Sequence, residues 1–306
     1  MECGCEANRY PNLFRVSGKG PSMARNNKKR RIPTQRMISV AQPTGPPAVD
    51  AQIDVAKILS QTNHRLYRQS RVYDVSLSID SNVADNTTVD VYALADTWMV
   101  HKALQLAKTA WDESNAEEMK MLNGKIARWN DFRVEAGLTG VGGLEAVNFL
   151  KGTLAATPFT AGEFVSSRVV DMAGATKVFS WGPPSLSKYS IIEEYDASGN
   201  TSRDPETPAS GPYDQLLPGL DPDAAVALQG VGDVPPYDRT DIGQAIWVKV
   251  GTLHLSAGRQ RLSTGFFSAP CGLLVLRGVG FLNDPDIQVE VKAGDYKGVR
   301  SYPMLE

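Results

Sequence analysis

Three cysteines in 306 residues are too few for a disulfide framework. The longest apolar run, Cys271 to Leu282, is broken by Arg277 and falls short of a bilayer span. The opening MECGCEANRY lacks the basic start and apolar centre of a secretory signal. The expectation is a protein made and kept in a reducing compartment, with no membrane partner. Histidine is as scarce as cysteine: His64, His101 and His254 have no second histidine or carboxylate at metal-ligand spacing. Cys3 and Cys5 offer half a zinc site with no second pair, and GLTGVGG (137–143) lacks the lysine and strand-loop-helix setting of a phosphate loop. The pairs Asp221/Asp223 and Asp284/Asp286 each flank a proline and read as turns rather than as calcium ligand sets. Trp98, Trp111, Trp129 and Phe132 read as core or interface anchors. With no nucleophile, base or metal centre assembling, the chain reads as no enzyme, with no cofactor and no small-molecule substrate.

What is present is an uneven distribution of charge. Residues 1–73 carry 13 Lys+Arg against 4 Asp+Glu, a balance of +9, which leaves −11 for residues 74–306 of a net −2. Within MARNNKKRRIPTQR (23–36), Arg25, Lys28, Lys29, Arg30, Arg31 and Arg36 are opposed by no acid. Such a segment repels itself and has almost nothing apolar to bury, so it is expected to be a flexible arm that binds a polyanion, here nucleic acid. The Pro/Gly-rich AQPTGPP (41–47) reads as its hinge, giving an arm and hinge over residues 1–48 and a folded domain over 49–306. A second basic stretch, HRLYRQSR, places Arg65, Arg68 and Arg71 just inside that domain.

The domain reads as all-β. Tyr73, Val75, Leu77 and Ile79 alternate with Asp74, Ser76, Ser78 and Asp80, and the same period of two returns at Val89–Ala93 and Ile287–Val291. From Ile246 to Leu255 the alternation slips by one across Gly251, which predicts a bulge. Further strands are expected at Phe132–Glu135, Phe164–Val170, Lys177–Trp181, Tyr189–Tyr195 and Leu273–Val279, eight or nine in all. Helices are expected at Ala51–Gln69, capped by Asp50; from Thr97 to Leu122, with Met99, Ala103, Leu106 and Ala110 inward; and at Leu144–Lys151. Strands do not alternate with helices as βαβ units would, which argues for one antiparallel sandwich with helical insertions. Asp196–Gly243, with nine acids, two arginines and seven prolines, is too long for an ordinary connection and is expected to contact a neighbouring subunit or the outer surface.

The order of these features resembles the capsid proteins of small circular Rep-encoding single-stranded DNA viruses. The similarity rests on MARNNKKRRIPTQRM, on DVAKILSQTNHRLYRQSRVYDVSLSID (54–80), and on VDVYALADTWMVHKALQLAKTAW (89–111) followed by ARWNDFRV (127–134). It implies a single jelly roll of eight strands in two face-to-face sheets, self-assembly into an icosahedral shell, and packaging of viral single-stranded DNA by the six basic residues of the arm. It also implies residence in the virion, with the host nucleus as the site of assembly. Family members usually begin at the basic run, whereas 22 residues precede Met23 here. Two other readings fit the same residues, because phosphate neutralisation is blind to sugar and base. They are a small RNA-virus coat protein and a non-viral nucleic-acid-binding β-sandwich, the latter needing a basic face or exposed aromatics on the folded domain, against which the −11 balance of residues 74–306 speaks.

Overall fold

The computed structural model describes residues 33–41, 50–83, 87–121, 129–138, 142–148, 157–158, 164–199, 246–255, 258–278 and 286–305, all within one unit, Pro33–Glu306. In chain order they form β1 (Met37–Ala41), β2 (Asp50–Asp54), α1 (Val55–Asn63), β3 (Arg71–Val83), β4 (Thr87–Leu94), α2 (Trp98–Ser114) and α3 (Ala116–Met121). There follow β5 (Gly142–Asn148), β6 (Thr157–Pro158), β7 (Arg168–Val170), β8 (Thr176–Ser180), β9 (Lys188–Ser190) and α4 (Ile191–Gly199). The last six are β10 (Trp247–Leu255), β11 (Gly258–Pro270), β12 (Leu273–Gly278), β13 (Asp286–Val291), β14 (Ala293–Tyr296) and β15 (Ser301–Pro303).

Alternation builds the long strands. In β3, Tyr73, Val75, Leu77 and Ile79 are fully buried, while Asp74, Ser78 and Asp80 between them keep contact with water. Each inward side chain contributes about 1.5–3 kcal/mol of apolar burial. Antiparallel pairing gives two sets of four, β1-β13-β3-β11 and β2-β12-β4-β10. The strand β5 joins them, antiparallel to β1 and parallel to β2, so the described strands make one mixed sheet that curls on itself. Inward residues of both sets, among them Ile38, Ile53, Leu77, Val91, Leu276 and Val289, share one apolar cluster. The protein is therefore mostly β, with two halves of a sheet packed face to face. The predicted bulge falls at Lys249/Gly251, and Cys271 (φ 57) with Gly272 (φ 66) forms the two-residue turn between β11 and β12.

A second core stands at one end of the sandwich. Val100, Ala103, Leu104 and Ala107 of α2 pack with Phe132, Phe179, Trp181 and Ile192 from the insertion between β4 and β10, against Val72, Leu273 and Met304 of the sandwich. No helix among the described residues is long and apolar enough to cross a membrane.

Several boundaries differ from those the spacing predicts. Within the arm and hinge expected over residues 1–48, Met37–Ala41 is a strand with Ile38 and Val40 buried, and residues 1–32 and 42–48 lie outside the described residues. The helix expected over Ala51–Gln69 is only α1, since Asp50–Asp54 is a strand against β12; its cap is Asp54, which accepts from the Lys57 N–H at 3.0 Å, not Asp50. Leu144–Lys151 opens as the strand β5, not a helix, and Tyr189–Tyr195 is one short strand followed by α4. Phe132–Glu135 makes only an isolated bridge from Glu135 to Ser180, and Phe164–Val170 shortens to β7. The α2 face is rotated from the one expected: Val100 and Leu104 are buried, while Leu106 is exposed. Most of Asp196–Gly243 lies outside the described residues; Asp196–Gly199 closes α4.

Candidate nucleic-acid interface

Arg25, Lys28, Lys29, Arg30 and Arg31 lie outside the described residues, as do Cys3, Cys5, Asp221 and Asp223. Arg36, the sixth arm cation, is exposed at the root of β1, and its carbonyl accepts from the Val291 N–H at 2.9 Å. The chain just before it is held down. The Thr34 hydroxyl donates to the Lys297 carbonyl at 2.8 Å, and Gln35 exchanges two hydrogen bonds with the Asn63 side chain at 2.8 and 2.9 Å. The arm's root thus crosses the end of α1 and the turn between β14 and β15.

Cations from distant segments meet at that crossing. His64, in the left-handed region at φ 51, ends α1 and sends the chain through Arg65, Leu66, Tyr67 and Arg68 into β3. Lys297, at φ 51 in the β14–β15 turn, donates its ammonium to the Leu66 carbonyl and stands 5.2 Å from the Tyr296 ring and 5.7 Å from that of Tyr67. The two rings meet edge to face at 6.0 Å. The Tyr67 hydroxyl donates to the Lys297 carbonyl at 3.0 Å, and the Tyr73 hydroxyl donates to the Arg68 carbonyl at 2.6 Å. The Arg68 N–H donates to the Tyr296 hydroxyl at 3.3 Å, so both turns are fixed by phenols. The Arg71 guanidinium lies 3.9 Å over the Tyr296 ring while donating to Ser301.

The charges of this cluster act on one another. Burial lowers the Lys297 pKa first, and the charges of Arg68, Arg65 and Arg71 lower it further, while the Asp131 carboxylate works against them. Asp131 stands 3.9 Å from the Arg68 guanidinium, with its own pKa raised by burial. Beyond the turn, Lys292 and Arg300 carry the charge along the hairpin, Arg300 paired to Asp74 at 2.9 Å. A phosphate brought to this face would meet several donors beside the single Asp131 carboxylate.

Of this site the sequence exposes Arg65, Arg68 and Arg71, but not Lys297 or Tyr296, which arrive from more than two hundred residues away through the pairing of β3 with β13. The histidines stand as isolated groups: His101 meets Asp96 at 2.8 Å, a pairing the spacing does not anticipate, and His254 lies 3.4 Å from the Thr88 hydroxyl. Among the described residues no three His, Cys, Asp or Glu side chains converge on a metal position. Trp111 packs on Phe132 at 5.7 Å as expected of an anchor, whereas Trp98 is 73% exposed. No family model matches the chain, and no curated protein or solved structure was found to match it.

Proposed function

We propose that the protein is the capsid protein of a small circular single-stranded DNA virus, a single jelly roll that assembles into an icosahedral shell and packages the genome through its basic arm. Strand order carries this reading. With the eight sandwich strands β1–β4 and β10–β13 counted from first to eighth, one half runs 1-8-3-6 and the other 2-7-4-5. Folding a long antiparallel ribbon over on itself produces that interleaving, the double Greek key of a jelly roll. The arm's root on the Lys297 face supports a polarity for the subunit, with arm and folded basic surface turned to the same interior. The role asks for packing and phosphate neutralisation and for no catalytic set, and it places the protein in the virion.

The same basic face favours a second reading, a nucleic-acid-binding β-sandwich that works as a monomer or dimer, because it puts cations on the folded domain itself. Extraction of the nucleic acid that copurifies with the full chain tests both. The capsid reading predicts large particles whose contents are digested by DNase after opening. RNase-sensitive contents identify an RNA coat protein, and a small species with freely accessible nucleic acid identifies the binding module.

A further inference from the structure

We propose that the pocket between the first turn of α2 and β15 is a carbohydrate-binding site that takes an uncharged pyranose, such as the terminal residue of a neutral glycan. The pocket has a volume of about 430 Å³, within the range of small-ligand sites (roughly 300–1,000 Å³). One wall is the Trp98 indole, which meets Tyr195 edge-on at 6.2 Å and leaves most of its surface in water. An indole exposed at the mouth of a pocket offers its remaining face as an apolar platform.

The polar rim is fixed in advance. Asp96 holds the His101 Nε2 at 2.8 Å with one carboxylate oxygen and accepts the Tyr302 hydroxyl with the other. Burial, and then the Asp96 carboxylate, push the Tyr302 phenol up to about 12, so it remains a donor to that carboxylate at any physiological pH. A carboxylate has about four lone-pair positions, and these two bonds leave others for a ligand's hydroxyl hydrogens. Lys102, whose ammonium donates to the Gln105 side chain at 3.0 Å, adds a donor at the edge, and Pro303 and Met304 form an apolar floor.

These groups together select a sugar rather than an anion or a base. A pyranose presents one face of C–H bonds and a rim of hydroxyls that each donate and accept, which matches an indole platform beside a mixed set of acceptors and donors. A phosphate or sulfate would face the Asp96 carboxylate. Both strand end and helix are packed against the second core, so the site is built on rigid elements.

Saturation-transfer NMR on the full chain tests this with methyl β-galactoside, methyl α-mannoside and methyl β-N-acetylglucosaminide at about 10 mM, alongside a heparin tetrasaccharide and dAMP. At least one neutral glycoside is expected to receive magnetisation on its ring C–H protons. That signal should vanish in Trp98→Ala and weaken about tenfold in affinity in Asp96→Asn, with the melting temperature of Trp98→Ala unchanged because the ring is exposed. The Tyr302→Phe variant, which keeps the ring and frees one carboxylate oxygen, should bind more weakly while still giving transfer. Silence from all three glycosides overturns the proposal. So does transfer that survives Trp98→Ala, or transfer only to heparin or dAMP. Loss of large particles in Trp98→Ala, with no neutral glycoside bound by wild type, identifies the patch as a contact between copies instead.

Discussion

The hydrogen bonds of Asp54 and its burial pull its acidity in opposite directions. As the cap of α1 it accepts from the Lys57 N–H, and through its other oxygen it takes a hydrogen bond from Gln69 at 3.1 Å; both favour the charged form. Burial opposes them and prevails, raising its pKa from 3.8 to about 6. A raised carboxylate binds its proton more tightly in the folded state. Its contribution to stability is therefore complete below about pH 4 and lost as pH rises through 6, a loss on the order of 3 kcal/mol. In the Asp54→Asn variant, denaturant unfolding between pH 4.5 and 7 should lack this decline, whatever the substitution costs at a single pH; an unchanged slope contradicts the assignment. Cys271 is the complementary case, a buried thiol that burial holds well above its ordinary range, so the folded protein should resist thiol alkylation at that position. At the basic face, Lys297→Ala and Arg68→Ala should each flatten the dependence of single-strand binding on log salt by roughly 0.7, one phosphate contact apiece. The comparison is cleanest in a chain whose Lys28, Lys29, Arg30 and Arg31 are already alanine, where the folded face is the remaining contact; a slope indifferent to both substitutions removes the face from the interface.

Strands with one wet face were legible in the sequence, and elements with polar partners on the buried side were not. The strands β3, β4 and β13 alternate cleanly because one side is core and the other is not. In β5 the pattern fails because Glu145 is buried too, its carboxylate held by Lys57 and by Gln61 at 2.7 Å, so Leu144–Ala146 looks like a continuous helical face. Tyr189–Tyr195 satisfies both periods, and Ile191, Ile192 and Tyr195 pack at helical spacing once the chain leaves β9. Gly137, which opens GLTGVGG, is constrained: at φ 76 an added Cβ would stand 1.9 Å from the Ser180 hydroxyl and 2.5 Å from the Gly182 nitrogen. The strand β1 was lost to the hinge because five residues beside a proline-rich run carry little periodicity, although Ile38 and Val40 enter the main core. This yields a direct comparison of truncations. Removing residues 1–32 should leave the melting temperature nearly unchanged, whereas removal through Ala41 strips β13 and β5 of a partner and two buried side chains. That should cost several kcal/mol at roughly 1.5–3 kcal/mol per side chain. Equal melting temperatures for the two truncations would show that β1 adds nothing to the sandwich.

For the molecule as a whole, a basic arm rooted on a basic face and an otherwise acidic domain form a division of labour that suits a shell around nucleic acid. In the proposed shell the arm cations would neutralise phosphate without reading sequence, and the sandwich would supply the tile. Replacing Lys28, Lys29, Arg30 and Arg31 together by alanine should remove about two-thirds of the arm's salt slope, from roughly −4 with six contacts, and yield empty or nonspecifically filled particles without altering the melting temperature. A variant that packages as wild type does would move the genome contact to the Arg65, Arg68, Arg71 and Lys297 face alone. The proposal of a packaging shell meets its most direct test in sedimentation velocity of the nuclease-treated full chain. The prediction is a discrete particle many times the 33.2 kDa of one chain, still containing nuclease-protected single-stranded DNA. A species of one or two chains, stripped of nucleic acid by the same treatment, would contradict it.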